Sequence, residues 1–295
     1  MECIPFTLGE TPRLGKKTTL ILGNFDGVHL GHRSLVFGAR KLAEGDIAVL
    51  LFDQAPSQFF SSGKSTSVLT SLEDKEVQFN ALGVDLAYVL HVSKEFFALS
   101  PEEFVEKVLK RLAPSLIVVG TDYTYGKGAL GTVETLKKSF KVFAEPLLEN
   151  EGHKISTQSI IKEIRSGAIK EANAELGRPY QVKGTIAHGL ENGRKMGFPT
   201  ANLAFDTPYV LPKSGVYLGV AYLRGLPHKA LINVGDNPTI GVLHQSIIEA
   251  YLQDFEGEAY GETLYLEFDS FLREEKKFAS MDELRAQMEL DKKAL

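Results

Sequence analysis

The chain has 295 residues, 43% of them apolar, and a formal net charge of -5; that is about two globular domains of roughly 150 residues each, with an ordinary soluble composition. The acidic balance and a pI near 5.9 leave no broad cationic surface, which argues against nucleic acid or an anionic membrane as partner and favours small-molecule chemistry. The single cysteine, Cys3, excludes an intramolecular disulfide framework and a multi-cysteine zinc site, and suits a reducing compartment.

The first residues, MECIPFTLGETPRLGKK, lack a basic segment followed by an apolar one, and no stretch approaches about eighteen uninterrupted apolar residues. A cytoplasmic protein is expected. From Thr18 to about Pro146, apolar β-branched runs (TLILG, IAVLLF, LAYVL, LIVVG) alternate with amphipathic stretches such as HRSLVFGARKLA and PEEFVEKVLKRLA. This alternation predicts βαβ units: a Rossmann-like parallel sheet with helices on both faces. Residues 156–177 read as two short helices broken at Gly167 and stopped at Gly177, with Pro179 beyond. After Tyr180, closely spaced strand-like runs (QVKGTIAHG, GVYLGVAYL, HKALINVG, SIIEAYLQDF, TLYLEFDSFL) punctuated by Gly, Pro, Asn and Asp predict a small antiparallel barrel. The charged end, MDELRAQMELDKKAL, reads as a helix. The predicted division is 1–178 and 179–295.

Residues 18–32, TTLILGNFDGVHLGH, combine a buried strand, a glycine-containing turn and a helix start bracketed by His29 and His32. Gly23, Gly27 and Gly31 permit close backbone approach, the helix N-terminus offers free N–H groups, and two imidazoles three residues apart can address one anion. A surface βα turn with two bystander histidines is the plain alternative. GNFDGVHLGH resembles the FMN adenylyltransferase module of the bacterial bifunctional FAD synthetase family. FDQAPSQFF (52–60), VGTDYTYGKGALG (119–131) and ISTQSII (155–161) are similar, in order, to that family's FDPHP, VGxDFxFGKxRxG and ISSTRIR segments. The resemblance implies that His29 and His32 hold ATP phosphates and that Asn24 and Asp26 shape the nucleotide and metal environment. It places Asp122 and Gly126 at the flavin and adenine pockets. The implied reaction is attack of the FMN phosphate on the α-phosphorus of ATP. Ser159 and Ile161 stand at the pattern's two arginines, Ala55 at a histidine and Ala129 at a third arginine. FAD formation is therefore expected to be weaker than usual, with Arg165, one helical turn from Ile161, as a substitute cation.

Residues 193–203, GRKMGFPTANL, preceded by GTIAHG (184–189), read as a phosphate-wrapping turn whose Thr200 and Asn202 offer oxygen ligands suited to Mg²⁺. A hairpin loop in a β-domain is the plain alternative. NVGDNPT (233–239), IEAYLQDFEGEAYG (248–261) and FLREEKKF (271–278) follow where the riboflavin kinase part of the same family has similar segments. The resemblance implies Glu249 as general base for the ribityl 5′-hydroxyl and Thr200 with Asn202 as the Mg²⁺ ligands. It implies an ATP loop including Gly184, Gly193, Arg194, Lys195, Gly197, Phe198 and Pro199, and Arg273 and Glu275 near the flavin. Glu249 also reads as an outward strand carboxylate, opposite in pleat to Ile248 and Ala250. The expected function is riboflavin to FMN in the second domain and FMN to FAD in the first, with MgATP as co-substrate and flavins as substrate and product. The alternative is a kinase whose first domain only senses flavin or nucleotide. Partners are expected to be these small molecules, with self-association left open.

Overall fold

The computed structural model describes residues 1–12, 17–60, 66–150, 152–188, 198–237 and 245–295, which fold as two compact units, Met1–Thr157 and Gln158–Leu295. Among the described residues no helix is long and apolar enough to cross a membrane.

In the first unit, β1 (Glu2–Thr7), β2 (Thr18–Ile21), β3 (Asp46–Phe52), β4 (Leu86–His91), β5 (Leu116–Gly120) and β6 (Val142–Glu145) form one sheet in the spatial order β1, β4, β3, β2, β5, β6. Every pairing is parallel. Side chains alternate between two apolar layers: Leu20, Leu22, Leu50 and Leu90 enter one, and Ile21, Val49, Leu51 and Val89 the other. A sheet buried on both faces needs helices on both. Helices α1 (Leu30–Leu42) and α2 (Leu72–Ala81) supply Val36, Ala39 and Phe79 to the second layer. The helical stretch 101–112 supplies Phe104, Val108 and Leu112 to the first. The expected α/β architecture is present. Strand β1 lies outside the predicted alternation; it carries Pro5, which an edge strand tolerates because one of its sides needs no ladder donor.

From β2 the chain builds outward through β3 and β4, then returns to place β5 and β6 on the other side of β2. The C-terminal ends of β2 and β5 therefore flank a topological switch point, where an open α/β sheet leaves a crevice.

The second unit begins with α3 (Thr157–Ser166) and α4 (Ile169–Leu176). They are separated at Gly167 (φ 84°) and stopped by Gly177 in the left-handed region (φ 68°), as the glycine positions predict. Strands β7 (Tyr180–Ala187), β8 (Thr200–Ala204), β9 (Gly215–Leu223), β10 (Leu226–Asn237), β11 (Gln245–Leu252) and β12 (Thr263–Arg273) close into an antiparallel barrel in the order β7, β8, β11, β10, β9, β12. Val182, Tyr217, Ile232, Ile248, Ala250, Leu266 and Phe268 have no exposed surface. Outside the barrel, Val216, Leu231 and Tyr251 form an apolar patch with Phe198, packed by Met288 of α5 (Met281–Lys292) and by Leu295. Strand β8 occupies part of the segment expected to be a turn. Its pairing with β7 on one edge and β11 on the other closes the barrel, a long-range demand that the local Thr-Ala-Asn sequence does not reveal.

Candidate active sites

The loop between β2 and α1 is built around Asp26, whose buried Oδ1 accepts from Leu69 N (3.0 Å), Thr70 N (3.0 Å) and Thr70 Oγ1 (3.1 Å). Thr70 Oγ1 in turn accepts from Gly27 N at 2.9 Å. This clamp holds Phe25 (φ 56°) and Val28 (φ 41°), both fully buried, in the left-handed region. A β-branched residue there is strained, and such strain persists only where surrounding contacts over-determine it. Asp26 thus acts through the loop's shape: its carboxylate is turned into the protein rather than toward a nucleotide. Burial raises its pKa, opposed first by Lys75 and then by the backbone donors.

The loop delivers His29 and His32 to one place. Their rings stack with centroids 3.7 Å apart and planes inclined by 23°. Gly31 lies against this pair: a Cβ there would stand 3.1 Å from the His29 ring, a tight contact. His32 is half-buried as a residue, but its Nδ1 is cut off from solvent and has no hydrogen-bond partner among the described residues. Burial, then His29, Lys75 and Lys154, hold its pKa well below the ordinary imidazole value. It is a neutral ring at neutral pH, so it meets an anion as a hydrogen-bond donor or by taking up a proton. The pair lines a cavity of about 300 Å³ at the switch point, with Gly23 and Asn24 after β2, Asp122 after β5, and Lys154. Asp122 is ion-paired with Lys154. Gly27 and Asp26 shape this cavity without lining it.

A second cavity of about 330 Å³ adjoins the first, sharing Leu22, Gly23, Asn24, Tyr123 and Thr124. Its walls are aromatic: Phe52, Phe96, Phe97, Phe104, Tyr123 and Tyr125. Successive rings touch edge-on or tilted, Phe52 to Phe96 at 5.2 Å, Phe96 to Phe104 at 6.1 Å and Phe104 to Tyr125 at 5.4 Å. Gly126 and Ala129 also line it. Of the two residues expected at the flavin, Gly126 faces the aromatic cavity and Asp122 the histidine one. The phenylalanines and Lys154 escaped the sequence reading. The FF doublet in SKEFFALSPEEF is a visible signal, but nothing local says that it meets the end of β3.

In the second unit, Pro199, Thr200 and Asn202 line a cleft of about 400 Å³ where β7, β9 and β11 end, with Ile186, Leu223, Leu252, Phe255 and Tyr260. Glu249 lies outside this lining but faces Asn202 on one neighbouring strand and Asn233 on the other. Direct cross-strand partners project to the same side of a sheet, so Asn202, Glu249 and Asn233 form one polar row on the barrel's outer surface. Ile248 and Ala250 point inward with no exposed surface. Glu249 is half-buried, and burial raises its pKa. The Glu275 carboxylate reaches the end of this row, where a Cβ on Gly235 would stand 2.8 Å from its Oε1.

Three expected site residues are committed elsewhere. Gly184 is buried in β7, where a Cβ would stand 2.7 Å from the Ala204 carbonyl oxygen; it serves strand packing. Phe198 anchors the outer apolar patch, 5.5 Å from Tyr251. The Arg273 guanidinium is held by Asp291 of α5, with Nε 3.0 Å from each carboxylate oxygen and a second nitrogen 2.7 Å from Oδ2. Gly193, Arg194, Lys195 and Gly197 lie outside the described residues. The Ser159 hydroxyl donates to buried Glu175 at 2.8 Å.

The α/β unit thus carries a histidine-lined cavity at its switch point, and the barrel a half-buried carboxylate flanked on its neighbouring strands by two asparagines. The family model described as FAD synthetase matches residues 12–159, and that described as riboflavin kinase matches residues 176–295. The bifunctional riboflavin kinase/FMN adenylyltransferase of Listeria monocytogenes is 39% identical, covering 97% of this chain and 93% of its own. That of Bacillus subtilis is 36% identical over 94% and 90%. A solved Streptococcus pneumoniae structure, described as a macrolide-efflux protein, is 30% identical with a TM-score of 0.91, covering 99% of this chain and 98% of its own. This chain belongs to the bifunctional riboflavin kinase/FMN adenylyltransferase family.

Proposed function

We propose that the chain makes both flavin cofactors: the barrel unit converts riboflavin and ATP to FMN and ADP, and the α/β unit converts FMN and ATP to FAD and pyrophosphate. The observation that carries the reading is the joining of the aromatic and histidine cavities along one wall. A flat apolar ring system fits the first, and anionic phosphates fit the second.

In the α/β unit an oxygen of the FMN phosphate attacks the α-phosphorus of ATP. The α–β bridging bond breaks and pyrophosphate leaves with its electron pair. The loop N–H groups and the two imidazoles act by positioning and by donating to charge that develops on the phosphates. In the barrel unit Glu249 takes the proton of the ribityl 5′-hydroxyl, whose oxygen attacks the γ-phosphorus and displaces ADP. Burial of Glu249 strengthens it as a base, because desolvation disfavours its charged form. Asn202 and Asn233 flank it on the two neighbouring strands. Thr200 and Asn202 lie two residues apart on one face of β8 and present hard oxygen donors, which fits Mg²⁺. The ion, when bound there, neutralises ATP phosphate charge.

ATP dependence and one exposed cysteine suit the cytoplasm. The arginine positions held by Ser159, Ile161 and Ala129 make FAD formation the slower step. The test is chromatography of flavin products after incubation with riboflavin and MgATP: FMN is expected first, then FAD. A protein that leaves riboflavin unchanged refutes the kinase assignment, and one that stops at FMN supports the sensor alternative.

A further inference from the structure

Thr70 is 5% exposed and lines neither the histidine cavity nor the aromatic one, yet its hydroxyl is committed to the loop that carries the histidines. It accepts from Gly27 N at 2.9 Å and donates to Asp26 Oδ1 at 3.1 Å. The backbone N–H of the same residue donates to Asp26 Oδ1 as well, at 3.0 Å. Three contacts that tie residues 26 and 27 to the body of the unit thus come from one side of the fold and one residue. Thr70 stands directly before Ser71, the N-cap of α2, whose capping box with Asp74 fixes where that helix starts.

The loop depends on such a tie. Phe25 and Val28 hold φ values of 56° and 41°, which residues with side chains keep only where the surroundings impose them. Nothing at the start of α1 imposes them locally, because the side chain of its N-cap, His29, does not cap the helix. Phe25 carries the constraint onward. Its ring stands edge-on to Phe79 of α2 at 5.0 Å and to His32 at 5.3 Å, and it rests on Gly23, where a Cβ would stand 2.8 Å from its Cε1. His32 in turn stacks on His29. Both ends of this support, Thr70 and Phe79, belong to α2 and its first turn, so the helix sets the loop and the loop sets the imidazoles.

Resting on the adenylyltransferase reading above, we infer that Thr70 is a positioning residue for FAD formation: its hydroxyl fixes the 25–28 loop and thereby aims the His29 and His32 rings into the cavity that takes the phosphates. Thr70 exchanges no proton with substrate and touches none of the reacting atoms. A valine at this position keeps the branched shape but removes the acceptor for Gly27 N and one of the three donors to Asp26 Oδ1. The loop is then free to relax from its left-handed conformations, and the imidazoles move with it.

The experiment is steady-state FAD synthesis from FMN and MgATP by the full chain, by Thr70→Val and by Thr70→Ser, which retains the hydroxyl. A displacement of about 1 Å at a reacting group costs on the order of a hundredfold, and groups that act on charge developing in the transition state lose kcat rather than KM. In Thr70→Val the kcat for FAD formation is expected to fall by about tenfold to hundredfold with the KM for FMN little changed, and most of the loss should return in Thr70→Ser. FMN formation from riboflavin should be unchanged in both variants, which also reports that the chain is folded. Parent-level kcat in Thr70→Val, with only a lowered melting temperature, overturns the inference and leaves the clamp a stability device. A Thr70→Ser chain as impaired as Thr70→Val overturns it too, by making the methyl group the part that matters. A rise in the KM for FMN with kcat intact overturns it by moving the effect to flavin binding. A parent chain that makes no FAD refutes the reading of the site, and the inference falls with it.

Discussion

The His29 and His32 rings lie stacked, 3.7 Å between centroids, and the second of them is kept neutral by burial and by the positive groups around it. A neutral folded histidine has a definite consequence for acid stability. Below the ordinary imidazole pKa of about 6.5 the unfolded chain binds a proton that folded His32 refuses, so stability is present above that pH and is lost as pH falls through it. The melting temperature of the parent should drop between about pH 7.5 and pH 5.5 by more than that of His32→Gln. Equal losses in both proteins would mean that His32 titrates normally in the fold.

Glu249→Gln preserves the side chain's shape and removes the base. FMN formation from riboflavin should fall by roughly a hundred- to ten-thousand-fold, while FAD formation from supplied FMN continues. In the parent the acid limb of the kinase rate should lie above the usual carboxylate range, because the raised pKa of Glu249 costs the base its charge as pH falls through it. A kinase that is unaffected by the substitution removes Glu249 from the mechanism.

Thr200→Ala leaves β8 paired through its backbone but takes away one oxygen donor from the cleft. The concentration of Mg²⁺ giving half-maximal kinase rate should rise severalfold, with the melting temperature nearly unchanged, since a hard cation loses a ligand that water replaces imperfectly. An unchanged metal dependence argues that the ion is held elsewhere.

Arg273 and Asp291 form an ion pair whose side chains are only 16% and 6% exposed, joining β12 to α5. Removing one partner of such a pair leaves a buried charge and costs about 3–5 kcal/mol. Arg273→Met and Asp291→Leu should each lower the melting temperature markedly, and the double variant should recover most of the loss. If Arg273→Met instead raises the KM for riboflavin without destabilising the chain, the guanidinium is a flavin contact after all.

Much of this protein was written in local pattern. Continuous apolar runs alternating with amphipathic stretches predicted the parallel sheet, and turn-punctuated strands predicted the barrel. Gly167 and Gly177 marked the ends of α3 and α4, because their positive φ values are costly for other residues. The spacing of His29 and His32 announced a pair because a helix start brings residues three apart onto one face. What the local pattern could not decide is which polar groups end up with which partners. Asp26 turns inward because Leu69 and Thr70, more than forty residues away, offer it three donors. Arg273 serves α5 because Asp291 folds back onto β12. Glu249 and Asn202 become neighbours only when β8 closes the barrel. The aromatic cavity likewise assembles from β3, the segment from Phe96 to Phe104, and residues 123–129 after β5. Charge state, hydrogen bonding and cavity shape depend on burial beside residues distant in the chain, and burial is a property of the tertiary structure alone.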